Sequence, residues 1–300
     1  MSAPPSIGRC AQVACLLEAT ARKPGNVHRF CDFLDMHYLD FALSALAIGP
    51  ALDAAVHVGV GPSVLAAVQA TRALVATNTN LGIVLLLAPL SVVPVDRPLR
   101  AGLADVLCST TVADAQLVYE AVRLASPGGL GKVAEQDVAD PPTGTLLEVM
   151  ALASGRDSVA RQYVNGFADV FDCALACLVR FRAEGRPLET AIVAAHLTLL
   201  AEVPDSLIAR KRGPALALQA SRLASDVLDA GWPDAIEGLR RCDELDRWLR
   251  ADGNARNPGT TADLVTAALF AGLRAETIKL PLRFRDWGSA ASLPQSATET

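Results

Sequence analysis

The chain has 300 residues, is 51% hydrophobic but only 5% aromatic, and carries a formal net charge of −5. Its apolar content is mostly Ala, Leu and Val, which packs as many small-residue helices rather than as a β-sandwich. The acidic balance argues against a general nucleic-acid binder, which would show a basic excess.

Read in order, Cys10, Val13, Ala14, Leu16 and Leu17 recur at helical spacing, so Glu18 falls on the last turns of a first helix. Residues 18–28 then form a polar stretch. Arg22 and Lys23 supply positive charge, and Pro24-Gly25 ends any helix and lets the backbone approach something closely. A carboxylate, two cations and a tight turn suit a phosphorylated ligand; a plain helix C-terminus with favourable cations is the alternative. Residues 36–57 read as a helix with Leu39, Leu43, Leu46 and Ile48 inside, kinked or split at Gly49-Pro50. Residues 62–76 read as another, with Pro62 in its first turn. Thr77-Asn78-Thr79-Asn80 is a polar knot before residues 83–90, which are apolar all round and predict a buried central helix. Its N-terminus would present free N–H groups to a site, unless Thr79 or Asn80 merely caps it.

Residues 111–125 predict an amphipathic helix, and 126–144 the longest loop. Gly128-Gly129-Leu130-Gly131-Lys132 there superficially resembles a phosphate loop, but no strand precedes it and no Ser or Thr follows the lysine. Residues 145–184 are helical with a break at 155–157, followed by helices over 188–201, 215–230 and 233–250. The run Arg210-Lys211-Arg212 reads as solvated surface. Asn257-Pro258-Gly259 opens a last helix over 262–273, capped by Thr260 or Thr261, with Asp263 in its first turn. The expected architecture is one all-α, bundle-like domain of about ten to twelve helices over residues 10–285. A flexible segment (1–9) precedes it and a tail (286–300) follows. The risk in this reading is that runs such as 83–87 are buried strands.

Seven cysteines without a Cys-x-x-Cys pair read as reduced thiols, not a disulfide or zinc framework. The N-terminus lacks signal-peptide order, and the most apolar run, residues 81–95, is broken by two prolines and falls short of the ~20 residues that span a bilayer. The expectation is a cytoplasmic protein with no membrane or nucleic-acid partner; whether it pairs as a homodimer stays open.

Several short motifs, in order, resemble the ATP:dephospho-CoA triphosphoribosyltransferase family. They are Leu17-Glu18, Lys23-Pro24-Gly25 and Asp35-Met36; Asn78-Thr79 with Gly82; Gly128-Gly129-Leu130-Gly131; Asp205-Ser206 with Arg210 and Gly213; and Asn257-Pro258-Gly259-Thr260-Thr261-Ala262-Asp263-Leu264. The resemblance covers roughly residues 10–275. It implies an all-α fold, ATP as donor, Mg²⁺, and transfer of a 5-triphosphoribosyl group from ATP to a hydroxyl of dephospho-CoA or a related cofactor precursor. One departure stands out. The family's second motif reads Asn-Thr-His-Lys-Gly, whereas this chain has Asn80 and Leu81 in place of His and Lys, which removes a positive charge. In this the chain is similar to divergent members tied to one-carbon, methanopterin-type cofactor pathways. A different acceptor, or a non-catalytic nucleotide- or cofactor-binding protein, is therefore the alternative.

The implied reaction breaks the adenine–ribose bond through an oxocarbenium-like transition state. It needs a carboxylate at the reacting carbon, donors for a triphosphate, and carboxylates for Mg²⁺. Glu18 is the first carboxylate candidate, with helix surface as its plain alternative. Asp35 is the second, or a helix N-cap; the two together are the Mg²⁺ candidates. His28 or His37 could protonate the leaving base. Lys23 is the expected phosphate cation, with Gly25, Asn78, Thr79, Gly82, Asp205, Arg210, Asn257, Gly259, Thr260 and Asp263 as further substrate contacts. Arg256 could also reach phosphate. Asp205 could equally be a cap. His57 and His196 read as ordinary residues in apolar helices.

Overall fold

Helical spacing of small apolar residues becomes helices nearly throughout. A computed structural model describes residues 5–126 and 136–282. Helix α1 (Ile7–Thr20) starts where Ser6 Oγ accepts the Arg9 N–H at 3.2 Å. There follow α2 (Tyr38–Asp53), α3 (Ala55–Val58), α4 (Val60–Arg72), α5 (Leu81–Val92), α6 (Leu99–Cys108) and α7 (Val112–Ala125). After the long loop come α8 (Leu146–Ala153), α9 (Ser158–Asn165), a π-helix (Asp169–Leu175), α10 (Ala176–Ala183) and α11 (Leu188–Glu202). The last helices among the described residues are α12 (Ser206–Arg212), α13 (Pro214–Asp229), α14 (Ile236–Arg250) and α15 (Gly259–Arg274).

No strand occurs among the described residues, so the all-α expectation holds and residues 83–87 are helical. The 15 α-helices among the described residues exceed the expected ten to twelve because short elements interrupt or join the longer runs. Residues 145–184 break twice, at the expected 155–157 and again at Gly166, whose φ of 66° ends α9. Helix α6 had no sequence signal read for it. Helix α2 runs through Pro50 and breaks only at Ala54, and Leu39 and Leu46 face outward while Ile48 is buried. Gly49 is there for packing: a β-carbon on it would overlap the Gln12 side chain of α1. The glycine-rich run 128–132, residues 1–4 of the N-terminal segment and the 286–300 tail lie outside the described residues.

Two helices hold the interior. Helices α5 and α15 are buried along almost their whole length and pack on each other. Around them sit α1, α2, α4, α9 and the π-helix. A second, smaller core joins α11 to α12, α13 and α14 through Val193, Leu197, Leu200, Ile208, Leu245 and Leu249. Helix α11 faces both cores, giving Ile192, Ala195 and Leu199 to the larger one, and therefore carries no polar stripe. All seven cysteines are free thiols. Among the described residues no single helix is long and apolar enough to cross a membrane.

His196 on α11 is wholly buried, its Nε2 3.2 Å from the Pro24 carbonyl, so it ties the first loop to the second core. It is the ordinary core residue the sequence suggested. Burial, with Lys23 nearby, drives its pKa down to about 3. Folded His196 is thus neutral where unfolded His is charged, and stability falls as pH drops below about 6.5. We expect the stability difference between wild type and His196→Gln to change by up to about 1.4 kcal/mol per pH unit in that window. Urea unfolding from pH 7.5 to 4.5 measures this; identical pH slopes for the two proteins would contradict it.

Candidate active site

The first turns of α5, α9 and α15 and the end of α1 converge on one cavity of about 1400 Å³. It exceeds the ~300–1,000 Å³ of a typical single-ligand pocket. Helices α7, α8 and α12 complete its wall. Helix N-termini carry partial positive charge, which favours anions.

The cavity floor is acidic. Glu18, in the last turn of α1, is buried at 3% exposure, so it is not helix surface. Its Oε1 lies 3.0 Å from the Lys23 ammonium. Lys23 is fully buried and also donates to the carbonyls of Glu18 and Ala21. All of its donors point back at α1, so it is not the phosphate cation expected from sequence: it does not reach the cavity. Burial raises the Glu18 carboxyl above the usual carboxylate range, and the Lys23 ammonium offsets this only in part.

Gly25 is also corrected. Its φ of 73° makes the turn, its N–H donates to Asp246 Oδ1 at 2.7 Å, and a β-carbon would stand 2.6 Å from Leu249 Cδ1. The close approach is to α14, not to a ligand. Asn26, missed from sequence, lines the cavity and donates to the Pro258 carbonyl at 3.2 Å. The polar stretch thus clamps α1 to the entry of α15.

Asp263, one turn into α15, lines the cavity opposite the start of α5. A β-carbon on Gly82 would overlap its Oδ2, which accounts for glycine there. Among the described residues no hydrogen bond or ion pair reaches the Asp263 carboxyl. Burial and the carboxylates of Glu18, Asp205 and Asp157 hold it well above the usual carboxylate range, against a weaker pull from Arg210.

Asp205 does not line the cavity, and the phosphate role read for it gives way to a structural one. Its Oδ1 accepts the N–H groups of Leu207 and Ile208 at 2.9 and 3.0 Å, capping α12. Its Oδ2 accepts Thr261 N–H and Oγ1–H at 2.7 and 2.8 Å, so it caps α15 from outside. Helix α15 accordingly begins at Gly259, with no cap from the side chains of Thr260 or Thr261. Thr260 lines the cavity and accepts from Ser206 Oγ at 3.1 Å. Gly259 lines it beside Leu207, and Asn257 Oδ1 is buried there without a partner.

At the start of α5 the polar knot divides its labour. Asn78 Oδ1 takes the Leu81 N–H at 3.1 Å and so caps the helix in place of Thr79 or Asn80. Thr79 Oγ1 meets Ser44 Oγ at 2.5 Å, and Asn80 donates to Thr71 Oγ1 at 3.0 Å. Asn78 through Gly82 all line the cavity, and none carries charge.

Cationic side chains also line the cavity. Arg210 lies 3.3 Å from Asp157, and Arg161 2.7 Å from Asp169. Arg123 and Arg156 donate to the carbonyls of Val138 and Leu152, and Arg72 to that of Ala76, with no carboxylate pairing these three among the described residues. Lys211 bonds Asn254 at 3.3 Å. The run 210–212 is thus part wall rather than only solvated surface. Arg123, Arg156, Arg161 and Asp157 were missed from sequence. The signals were present: Arg123 sits in the last turn of an amphipathic helix, and Arg156-Asp157 fill a break read only as a break.

The remaining candidates lie elsewhere. His28 is off the cavity, and burial with Arg250, Lys23, Arg22 and Arg29 around it lowers its pKa to about 3. It holds no proton to give at neutral pH. His37 is exposed near Asp32 and precedes α2 as its N-cap, so Asp35 is not that cap. Asp35 is exposed at the cavity rim and accepts from Asn254 Nδ2 at 2.6 Å. Arg256 packs on Trp248 and bonds its carbonyl at 3.1 Å, away from the cavity. Glu18 and Asp35 do not fit a protein-held Mg²⁺: one is neutralised by Lys23, the other takes an amide. Among the described residues no three His, Cys, Asp or Glu side chains gather for a metal.

The family model for ATP:dephospho-CoA triphosphoribosyl transferase matches residues 4–281, and the chain belongs to that family. A protein of Pseudomonas syringae pv. tomato, assigned as a 2-(5''-triphosphoribosyl)-3'-dephosphocoenzyme-A synthase, is 33% identical over 132 residues, 41% of this chain and 45% of its own length. One of the same assignment from Pseudomonas fluorescens is 35% identical over 122 residues, 40% of this chain and 41% of its own. The chain thus matches less than half the length of these curated relatives. A crystal structure from Archaeoglobus fulgidus, assigned as triphosphoribosyl-dephospho-CoA synthase, superposes with a TM-score of 0.58 at 25% identity, covering 77% of this chain and 96% of that one.

The contact between Gly82 and Asp263 can be tested by a double-mutant cycle. Gly82→Ala should cost about 1–3 kcal/mol by overpacking. In an Asp263→Ala background the same change should be neutral, or stabilising by up to about 1 kcal/mol, since alanine favours helix. Equal costs in both backgrounds, by urea unfolding, would contradict the contact.

Proposed function

We propose that this family member transfers the 5-triphosphoribosyl group of ATP to a hydroxyl of dephospho-CoA and releases adenine. The observation that carries the reading is one cavity, large enough for two substrates, with carboxyls on its floor and guanidinium groups on its wall. Arg123, Arg156 and Arg210 hold the triphosphate by charge-assisted hydrogen bonds, helped by the first turns of α5 and α15. The ribose then lies toward Glu18 and Asp263. Glu18, aimed by Lys23, takes the proton of the attacking hydroxyl as positive charge develops at the ribose carbon. Because the protein's own donors do not fit Mg²⁺, no step is assigned to it. Free thiols suit a reducing compartment, and a cytoplasmic location is part of the proposal.

A second reading concerns the acceptor alone. Asn80 and Leu81 line the cavity where the family motif carries His and Lys, so this stretch supplies no positive charge. That favours an acceptor with less negative charge than dephospho-CoA at this point.

Incubation with ATP and a panel of acceptors, dephospho-CoA included, should release free adenine, measured by chromatography, only with the correct acceptor. Glu18→Gln should lower kcat by about 10²–10⁴-fold. Arg156→Gln should raise the KM for ATP about tenfold or more, the effect of one lost charge-assisted bond. No adenine with any acceptor, or a fully active Glu18→Gln protein, would refute the proposal.

A further inference from the structure

We propose that Asp263 is the general acid that hands a proton to the departing base, while Glu18 serves only the incoming hydroxyl. This rests on the transfer reaction proposed above and divides its proton chemistry between two residues.

The two carboxyls share a cavity but not an environment. Glu18 has a cation built for it, the sealed Lys23 ammonium at 3.0 Å. Asp263 has none. It stands one turn into α15 against the bare backbone of Gly82, where no side chain can come between them. Helix α1 brings Glu18 and the thiol of Cys15 towards it, α9 and its cap bring Asp157, and α12 and its cap bring Asp205 and Arg210. Helix α5 contributes no titratable group there. Cys15 is neutral, since burial pushes its thiol up. The guanidinium of Arg210 is shared with Asp157. The net surroundings of Asp263 are therefore anionic, and together with burial they favour its protonated form. Two carboxyls whose environments separate their proton affinities form an acid and a base. The histidines proposed for the acid role from sequence lie off the cavity.

The step balances. The bond from the ribose carbon to purine N9 breaks, and its electron pair leaves with the base. The Asp263 proton passes to the purine ring, so neutral adenine departs. The acceptor oxygen bonds to the same carbon, and its proton passes to Glu18. Return of that proton from Glu18 to Asp263 resets the pair, so no outside proton is consumed.

The test compares ATP with ATP methylated at purine N7, whose base leaves neutral without being protonated. Asp263→Asn should lose about a thousand-fold in turnover on ATP and less than about tenfold on the methylated nucleotide, each against wild type. Glu18→Gln should lose equally on both. Should Asp263→Asn not fold, the unaltered enzyme still decides the matter. Its rate on ATP should fall as alkaline pH strips the Asp263 proton, and that fall should be absent with the methylated nucleotide. Equal losses on both nucleotides, or the same alkaline fall on both, would overturn the assignment of Asp263. Absence of adenine release from ATP by wild type with every acceptor would instead overturn the transfer reaction itself.

Discussion

A lysine ammonium sealed against a glutamate carboxylate is the interaction on which the rest of the site depends. Lys23 has no exposure, and all its protein partners belong to the end of α1 and the turn after it. Removing both charges from water is costly, and the Lys23 ammonium offsets this by also donating to the carbonyls of Glu18 and Ala21. Glu18 is thereby fixed in place and kept compensated beside an otherwise anionic floor. Breaking such a pair by deleting one partner leaves an uncompensated buried charge, which is why the turn that follows it is so heavily anchored. Gly25 packs under Leu249, Asn26 bonds the Pro258 carbonyl, and Pro24 meets His196.

That anchoring links the two hydrophobic cores. Helix α11 belongs to both, and the cavity opens where α12, at the edge of the smaller core, meets α5 and α15 of the larger. Asp205 sets the junction by accepting from two backbone N–H groups of α12 and from one N–H and one hydroxyl of α15. One carboxylate thus fixes the relative position of two helix starts, and the side chains of Thr260 and Asp263 are placed by it. Such an arrangement holds a site rigidly without a disulfide or metal, through hydrogen bonds that are worth more when buried.

Much of this was legible in the sequence. The apolar period placed α1, α5, α7 and α11 within a few residues, because burial on one face or all round leaves a clear pattern. The turn residues before α5 and α15 marked two walls of the cavity. What failed has physical reasons. Lys23 and Arg256 are cations near the motifs, but which way a long side chain points depends on tertiary partners. Asp205 was read as a phosphate contact or a cap, and only the position of α15 decides between them. Short elements such as α6 and the π-helix lie below the length at which periodicity carries information. The arginine wall was missed because Arg123 and Arg161 belong to helices, and Arg156 to the break between two, whose meeting cannot be read locally.

The central claim is that two carboxyls in one cavity hold opposite protonation states at neutral pH. Carbon-13 labelling of the carboxyl groups, with Asp263→Asn and Glu18→Gln used to assign the two signals, reads this directly through chemical shift against pH. The account predicts that at pH 7 the Asp263 signal is that of a protonated acid and the Glu18 signal that of a carboxylate. Two signals that both report ionised groups at pH 7 would contradict it.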